Sequence, residues 1–89
     1  MATISSVEEL KVWQKARELA RTVYKLSSLA PFIADRELRA QINAASGSVM
    51  DNIAEGFGRR GNREFVSFLS IASGSLAEVR SQILRAHDR

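Results

Sequence analysis

The sequence predicts an all-α protein, an antiparallel up-down helical bundle. Three segments of the chain repeat apolar residues at steps of three and four, which is the spacing of one helix face. Short connections containing glycine, serine or proline separate these segments, and no segment has the pattern of a strand. A chain of 89 residues fits one domain. We therefore expect residues 1–89 to form a single helical domain, with helices over about residues 7–27, 35–56 and 62–88.

The first predicted helix begins at a capping box. Ser6 and Glu9 have the S-x-x-E spacing in which each side chain bonds the backbone of the other at a helix start. The apolar stripe that follows consists of Leu10, Trp13, Ala16, Ala20, Val23 and Leu26. Pro31 ends the pattern because proline disfavours helical geometry at the preceding residue. The connection is short, so the second helix should turn back against the first.

The second predicted helix has a start signal and a stop signal. Asp35 is a favourable N-cap. The apolar stripe consists of Leu38, Ile42, Ala45, Val49 and Ile53. The helix should stop at Gly56, because the Gly-Phe-Gly sequence that begins there offers glycines for the left-handed conformation common after helix C-termini.

The third predicted helix starts at Asn62, which we expect to be its N-cap. Phe65 and Phe68 begin its apolar side. A heptad-like seam continues that side, at Leu69, Ala72, Leu76, Val79, Ile83 and Ala86. The pattern runs on to Arg89 without a cap or a breaker, which we interpret as an interrupted helix.

Seven large apolar residues are the predicted core: Trp13, Leu38, Ile42, Val49, Phe65, Leu69 and Leu76. Gly47 and Gly74 lie in two similar Ala-Ser-Gly-Ser stretches inside helices. A glycine inside a helix costs up to about 1 kcal/mol relative to alanine, so a compensating gain is expected. We predict close helix packing at both glycines, within the bundle or between subunits; chance composition is the alternative.

The composition excludes several classes of protein. There is no cysteine, which excludes a disulfide framework and a thiolate metal site. No apolar run approaches the roughly 20 residues that span a bilayer. Residues 1–6 lack the basic and apolar stretches of a signal peptide. These observations are consistent with a cytosolic protein and predict no membrane partner.

The net charge of +3 comes entirely from the last third of the chain. Residues 1–57 hold seven basic and seven acidic side chains, whereas residues 58–89 hold six arginines against three acidic side chains. Arg59, Arg60 and Arg63 lie in or beside a glycine-rich turn, where backbone amides and guanidinium groups suit phosphate. These three arginines are the predicted nucleic-acid-binding residues. A turn with solvated arginines is the alternative.

Ser48, Asn52 and Glu55 form a polar row on one side of the second predicted helix. Such a row resembles catalytic chemistry, but polar side chains beside a core more often specify register, so we interpret the three as structural and assembly residues. Glu55 lies unfavourably near a helix C-terminus and should be compensated by an arginine of the next turn. His87 is the only histidine, and no phosphate loop or nucleophile elbow is present. We predict no enzyme activity, no metal and no cofactor.

The sequence resembles a known family. The pattern includes Trp13-Gln14, then Asn52-Ile53-Ala54-Glu55-Gly56, then Gly74-Ser75-Leu76-Ala77-Glu78. It is similar to the four-helix bundle proteins encoded by intervening sequences of bacterial 23S ribosomal RNA genes, which are often labelled ribosomal proteins. The resemblance implies a four-helix bundle that assembles as a homopentamer in the cytoplasm. Three helices are expected in this chain and the fourth is missing, which would leave an apolar groove for a neighbour to fill.

The resemblance also implies a class of partner. A related bundle protein of diversity-generating retroelements is a pentamer that associates with reverse transcriptase and nucleic acid. We therefore predict a non-catalytic oligomer that binds RNA, DNA or a nucleoprotein through the basic turn, without a small-molecule substrate. The alternative is a protein-interaction scaffold with no nucleic-acid role, in which Asn52 and Glu55 fix the subunit geometry.

Overall fold

The computed structural model describes residues 4–89, which contain three long α-helices and no strand. The helices are α1 (Lys11–Leu26), α2 (Arg36–Gly58) and α3 (Asn62–His87). The all-α prediction is confirmed, and no fourth helix is present in the described part of the chain. Within it, no helix is long and apolar enough to cross a membrane. The predicted absence of a signal peptide rests partly on residues 1–3, which lie outside the described residues.

α2 is the central helix of the molecule. It packs against both α1 and α3, whereas α1 and α3 make little contact with each other. α2 runs antiparallel to both of its neighbours. The end of α1 lies beside the first half of α2, and the end of α3 lies beside the start of α2. Asn43 in the first half of α2 donates to Ser27 Oγ just after α1, at 2.9 Å. Arg89, after α3, forms an ion pair with Asp35 before α2, at 3.0 Å. The chain therefore forms a layered bundle of 48 × 20 × 16 Å.

The core has two apolar clusters along α2. The cluster nearer the end of α1 contains Val23, Phe32, Leu38, Ile42, Ala45, Val79 and Ala86. The other contains Ala16, Val49, Ile53 and Ala72, with Trp13, Phe65 and Leu69 packed against it. Leu19 packs on both clusters. Full burial of a side chain such as Ile42, which is 0% exposed, contributes about 1.5–3 kcal/mol.

The prediction that Leu76 is a core residue is wrong, since its side chain is 48% exposed. The heptad-like seam of α3 divides into two rows. Ala72 and Val79 face inward and are buried, whereas Leu76 and Ile83 lie on the side toward α1. Since α1 and α3 make little contact, an apolar groove of about 480 Å³ stays open between them. Leu19, Leu76, Ile83 and Leu84 are among its lining residues.

The predicted capping box at the first helix does not form. Val7–Glu9 is a short 3₁₀ helix, and Ser6 makes no side-chain cap bond. Leu10 is extended, with ψ 122°, and α1 begins only after it. The side chain of Leu10 packs on the second core cluster, so tertiary packing overrides the local capping signal. Ser5 donates to the Glu9 carboxylate instead, at 2.9 Å.

The other two predicted N-caps have different outcomes. Asp35 caps α2 as predicted: its Oδ1 accepts the Leu38 backbone N–H at 3.0 Å. Asn62 does not cap α3, because it is already the first residue of that helix. Gly61 occupies the cap position and has no side chain with which to bond the free amides.

Candidate nucleic-acid interface

The turn between α2 and α3 is made by Arg60, not by a glycine. α2 continues past the predicted stop at Gly56 and ends at Gly58. No glycine among the described residues has a positive φ, whereas Arg60 has φ 68°. The predicted glycine C-cap is therefore wrong. A left-handed conformation costs an ordinary residue about 1–2 kcal/mol, so the contacts of Arg60 must help to offset that cost.

Gly56 lies inside α2, at a point where α3 approaches closely. A Cβ atom at Gly56 would lie 2.7 Å from Phe68 Cβ and 3.1 Å from Phe65 Cδ1. Sequence interpretation missed this contact and ended the second helix at Gly56. One signal was present, since Gly56 follows Ile53 by three residues and so continues the apolar stripe.

Three phenylalanines support the arginines of the turn. The rings of Phe57 and Phe65 pack edge to face, with centroids 6.4 Å apart and an interplanar angle of 73°. The Arg60 guanidinium lies 5.8 Å from the centre of the Phe57 ring. The Arg59 guanidinium lies 5.3 Å from that of Phe68. Each exposed contact of this kind contributes about 0.5–1 kcal/mol, which holds the two guanidinium groups against the end of the bundle.

The charges of the three predicted arginines are not equivalent. Arg59 forms an ion pair with Glu55 at 3.0 Å, with both side chains about half exposed. The predicted compensation of Glu55 is confirmed, and it offsets the charge of Arg59. Arg60 and Arg63 are exposed and have no ion pair within residues 4–89. The structure therefore places all three at one end of the molecule and leaves two of the charges available for an anion.

The polar row divides into a network and an ion pair. Asn52 Nδ2 donates to both the backbone oxygen and the hydroxyl of Ser48, at 2.8 and 2.9 Å. Ser48 Oγ is 2.9 Å from Ser75 Oγ, which joins α2 to α3. Glu55 takes no part in this network, since it pairs with Arg59. In the described part of the chain no carboxylate or imidazole forms a hydrogen bond with Ser48. The network of Ser48 and Asn52 therefore links α2 to α3.

Gly47 and Gly74 do not lie at close helix crossings within the chain. A Cβ atom added at either glycine would meet no other atom within 4 Å. The within-bundle form of the packing prediction is therefore wrong, because both glycines lie on outward sides of their helices. Close packing between subunits stays a prediction.

Side chains that could bind a metal do not come together in residues 4–89. That range contains no cluster of three or more histidine, cysteine, aspartate or glutamate side chains. His87 lies 3.6 Å from Asp88, with both side chains more than 80% exposed. Such a pair resembles an ordinary surface contact.

Comparison with known proteins gives one match. The family described as 23S rRNA-intervening sequence protein matches residues 8–89. No curated protein and no solved structure matches the chain. The match covers both core clusters, the polar row and the basic turn, and it agrees with the resemblance carried by the Asn-Ile-Ala-Glu-Gly stretch at 52–56. The chain therefore belongs to the 23S rRNA-intervening sequence protein family.

Proposed function

We propose that this protein is a non-catalytic oligomer, a homopentamer, that binds RNA, DNA or a nucleoprotein in the cytoplasm. The basic turn would be its binding surface, and it would need no cofactor or small-molecule substrate. The observation that carries the proposal is the turn itself, where Arg60 and Arg63 have no ion pair within residues 4–89 and Arg60 is held on an aromatic ring. An unpaired guanidinium group fixed on a ring, as at Arg60, suits a phosphate contact.

One subunit alone would bind weakly. Three arginines, one of them offset by Glu55, neutralise few phosphates. Ring symmetry would repeat the turn on one side of the assembly, so several weak contacts could act on one nucleic acid. Linked contacts raise overall affinity by about 10²–10⁴ without any new contact. The proposal therefore makes tight nucleic-acid binding depend on assembly of the subunits.

The test is binding of the full chain to structured RNA and duplex DNA over a salt series, with its mass measured in the same buffer. Affinity should fall with a slope of about −0.9 per phosphate contacted on B-DNA. The triple variant Arg59→Gln, Arg60→Gln, Arg63→Gln should reduce both affinity and slope while the mass stays that of the oligomer.

The control removes the same charge elsewhere. Lys11→Gln, Lys15→Gln, Arg80→Gln changes three exposed residues outside the turn and also lowers the net charge by three. Equal losses of affinity in the two triple variants would show that net charge alone causes the effect. No binding at low salt by a folded oligomer would reject the nucleic-acid proposal.

The second candidate function is a protein-interaction scaffold. Exposed apolar side chains on α3 favour it, since Leu76, Ile83 and Leu84 are 39–56% exposed and single helix faces of this kind commonly bind protein. In this proposal Asn52 and Glu55 fix the geometry between subunits. Glu55→Gln should then change the oligomer mass, although its ion pair is exposed and contributes at most about 1 kcal/mol to one subunit. An unchanged mass and stability would count against the scaffold.

A further inference from the structure

A second basic surface lies where α1 meets α2, away from the turn. Two neighbouring grooves of about 650 and 350 Å³ share the side chain of Tyr24. We name this surface the α1–α2 basic face, and its charged and aromatic residues are Arg17, Arg21, Tyr24, Lys25, Arg36 and Arg39. No acidic residue lines either groove. Five cations therefore face one concave strip of the protein.

The cations of this face are available to a ligand. None of the five forms an ion pair within residues 4–89. The nearby acidic residue of α1, Glu18, pairs with Lys15 at 3.6 Å instead. Arg36 and Arg39 lie in the first turn of α2, where the helix dipole disfavours positive charge. An anion bound there would relieve this unfavourable placement.

Tyr24 offers an exposed ring on a fixed backbone. It is 63% exposed. Its carbonyl accepts the hydroxyl of Ser27 at 2.7 Å, and Asn43 of α2 donates to the same hydroxyl at 2.9 Å. Ser27 is fully buried, so these bonds connect the end of α1 to α2 next to the Tyr24 backbone. An exposed aromatic side chain among cations is the arrangement on which single-stranded nucleic acids stack their bases.

We propose that the α1–α2 basic face binds single-stranded nucleic acid, with phosphates on its five cations and a base stacked on Tyr24. A duplex fits less well, because its bases are already stacked and only its phosphates can reach the face. An anionic membrane would attract the same cations, so vesicles form a separate arm of the experiment. The inference shares its ligand class with the proposed function but uses a different site, so each can fail separately.

The experiment measures binding of the full chain to a labelled oligothymidylate of about 20 nucleotides and to a duplex of equal length. The face variant is Arg21→Gln, Lys25→Gln, Arg36→Gln; all three side chains are exposed and make no ion pair in the described residues. Single-strand affinity should fall about 10-fold or more, and the salt slope should shrink by about 2, at roughly 0.7 per lost contact.

Stacking is tested separately at Tyr24. Tyr24→Ala should lower single-strand affinity by about 5- to 150-fold, the range measured for loss of one stacked base, and should change duplex affinity little. Tyr24→Phe should keep the affinity, because stacking needs the ring and not the hydroxyl. Helical circular dichroism checks that each variant is folded.

The charge-matched controls separate this inference from the proposed function. The Lys11, Lys15, Arg80 variant should bind as the natural chain does, and the turn variant should keep the Tyr24-dependent part of single-strand binding. Loss in the turn variant alone would overturn the inference and keep the proposed function. Binding that is equal for both nucleic acids and insensitive to Tyr24→Ala would overturn it too. So would a face-dependent preference for phosphatidylserine vesicles, or no nucleic-acid binding by any folded form.

Discussion

The backbone of Arg60 and the missing side chain of Gly56 together shape the basic turn. Gly56 lets α3 approach α2 until the Phe68 Cβ is 2.7 Å from the position where a Cβ of residue 56 would lie. α2 continues past Gly56 to Gly58, and the chain reverses at Arg60. The guanidinium of Arg60 then lies over Phe57 and contributes about 0.5–1 kcal/mol, which offsets part of the cost of its left-handed backbone.

Gly56→Ala should therefore destabilise the protein. The new methyl group would overlap the base of a phenylalanine side chain, which cannot move without its helix, so we expect a loss of about 1–3 kcal/mol in the free energy of unfolding. Urea denaturation measures it. The matched control is Gly47→Ala, where nothing lies within 4 Å of the added Cβ. It should gain about 0.5–1 kcal/mol from better helix propensity.

The control also tests the packing prediction between subunits. If Gly47 lies at a subunit contact, Gly47→Ala should weaken assembly while the helix itself gains stability. A Gly56→Ala protein as stable as the natural chain would contradict the close approach of α3 to α2.

At the scale of the element, α2 determines where the rest of the bundle lies. It is the only helix that packs on both others, and its two ends are stabilised differently. Asp35 caps its start and also pairs with Arg89 after α3, at 3.0 Å. Its last turn has Glu55 and Arg59 bonded to each other. The cap is a local signal, whereas the pair with Arg89 needs the whole bundle.

The cap of α2 should contribute more than the ion pair beside it. Asp35→Ala removes both and should cost about 1–2 kcal/mol. Asp35→Asn keeps a good capping group and loses only the ion pair, which is partly exposed, so it should cost about 0–1 kcal/mol. Arg89→Gln removes the ion pair from the other side and should match Asp35→Asn. Thermal unfolding of the three variants compares them; a larger loss in Asp35→Asn than in Asp35→Ala would contradict the cap.

At the scale of the whole molecule, the three helices leave different surfaces on different sides. An apolar groove lies between α1 and α3, the basic face lies between α1 and α2, and the arginine–phenylalanine turn lies at one end. The groove exists because the inner row of α3 packs on α2 while Leu76 and Ile83 face α1 across an open gap. The apolar residues of α3 are therefore buried mainly on the side that packs on α2.

Core truncations should show this asymmetry. Leu38→Ala should cost about 2–5 kcal/mol, because Leu38 is 1% exposed and a cavity would remain. Leu76→Ala should cost about 1 kcal/mol or less, because half of that side chain already meets solvent. Chemical denaturation at low protein concentration compares the two. An equal loss for Leu76→Ala would show that its side chain is covered in solution.

The sequence alone determined the all-α class, the three helical segments, the Asp35 cap and most of the core. These features depend on local periodicity and capping chemistry, which the order of residues carries directly. It also placed the three arginines at one turn and paired Glu55 with an arginine there. It did not separate the buried row of α3 from the exposed row. Apolar residues at alternating steps of three and four have the same pattern whether one or two helices pack against them.

Only the tertiary structure decided how the surfaces are made. Seven positive and seven negative charges cancel along residues 1–57, yet five of those positive charges come together on the α1–α2 basic face. Which charges share a face depends on how α1 and α2 are rotated against each other, and a count of charges along the sequence does not contain that rotation. The packing of Gly56 was decided in the same way, because its contact with Phe68 joins two helices, whereas the local Gly-Phe-Gly sequence indicates only a turn.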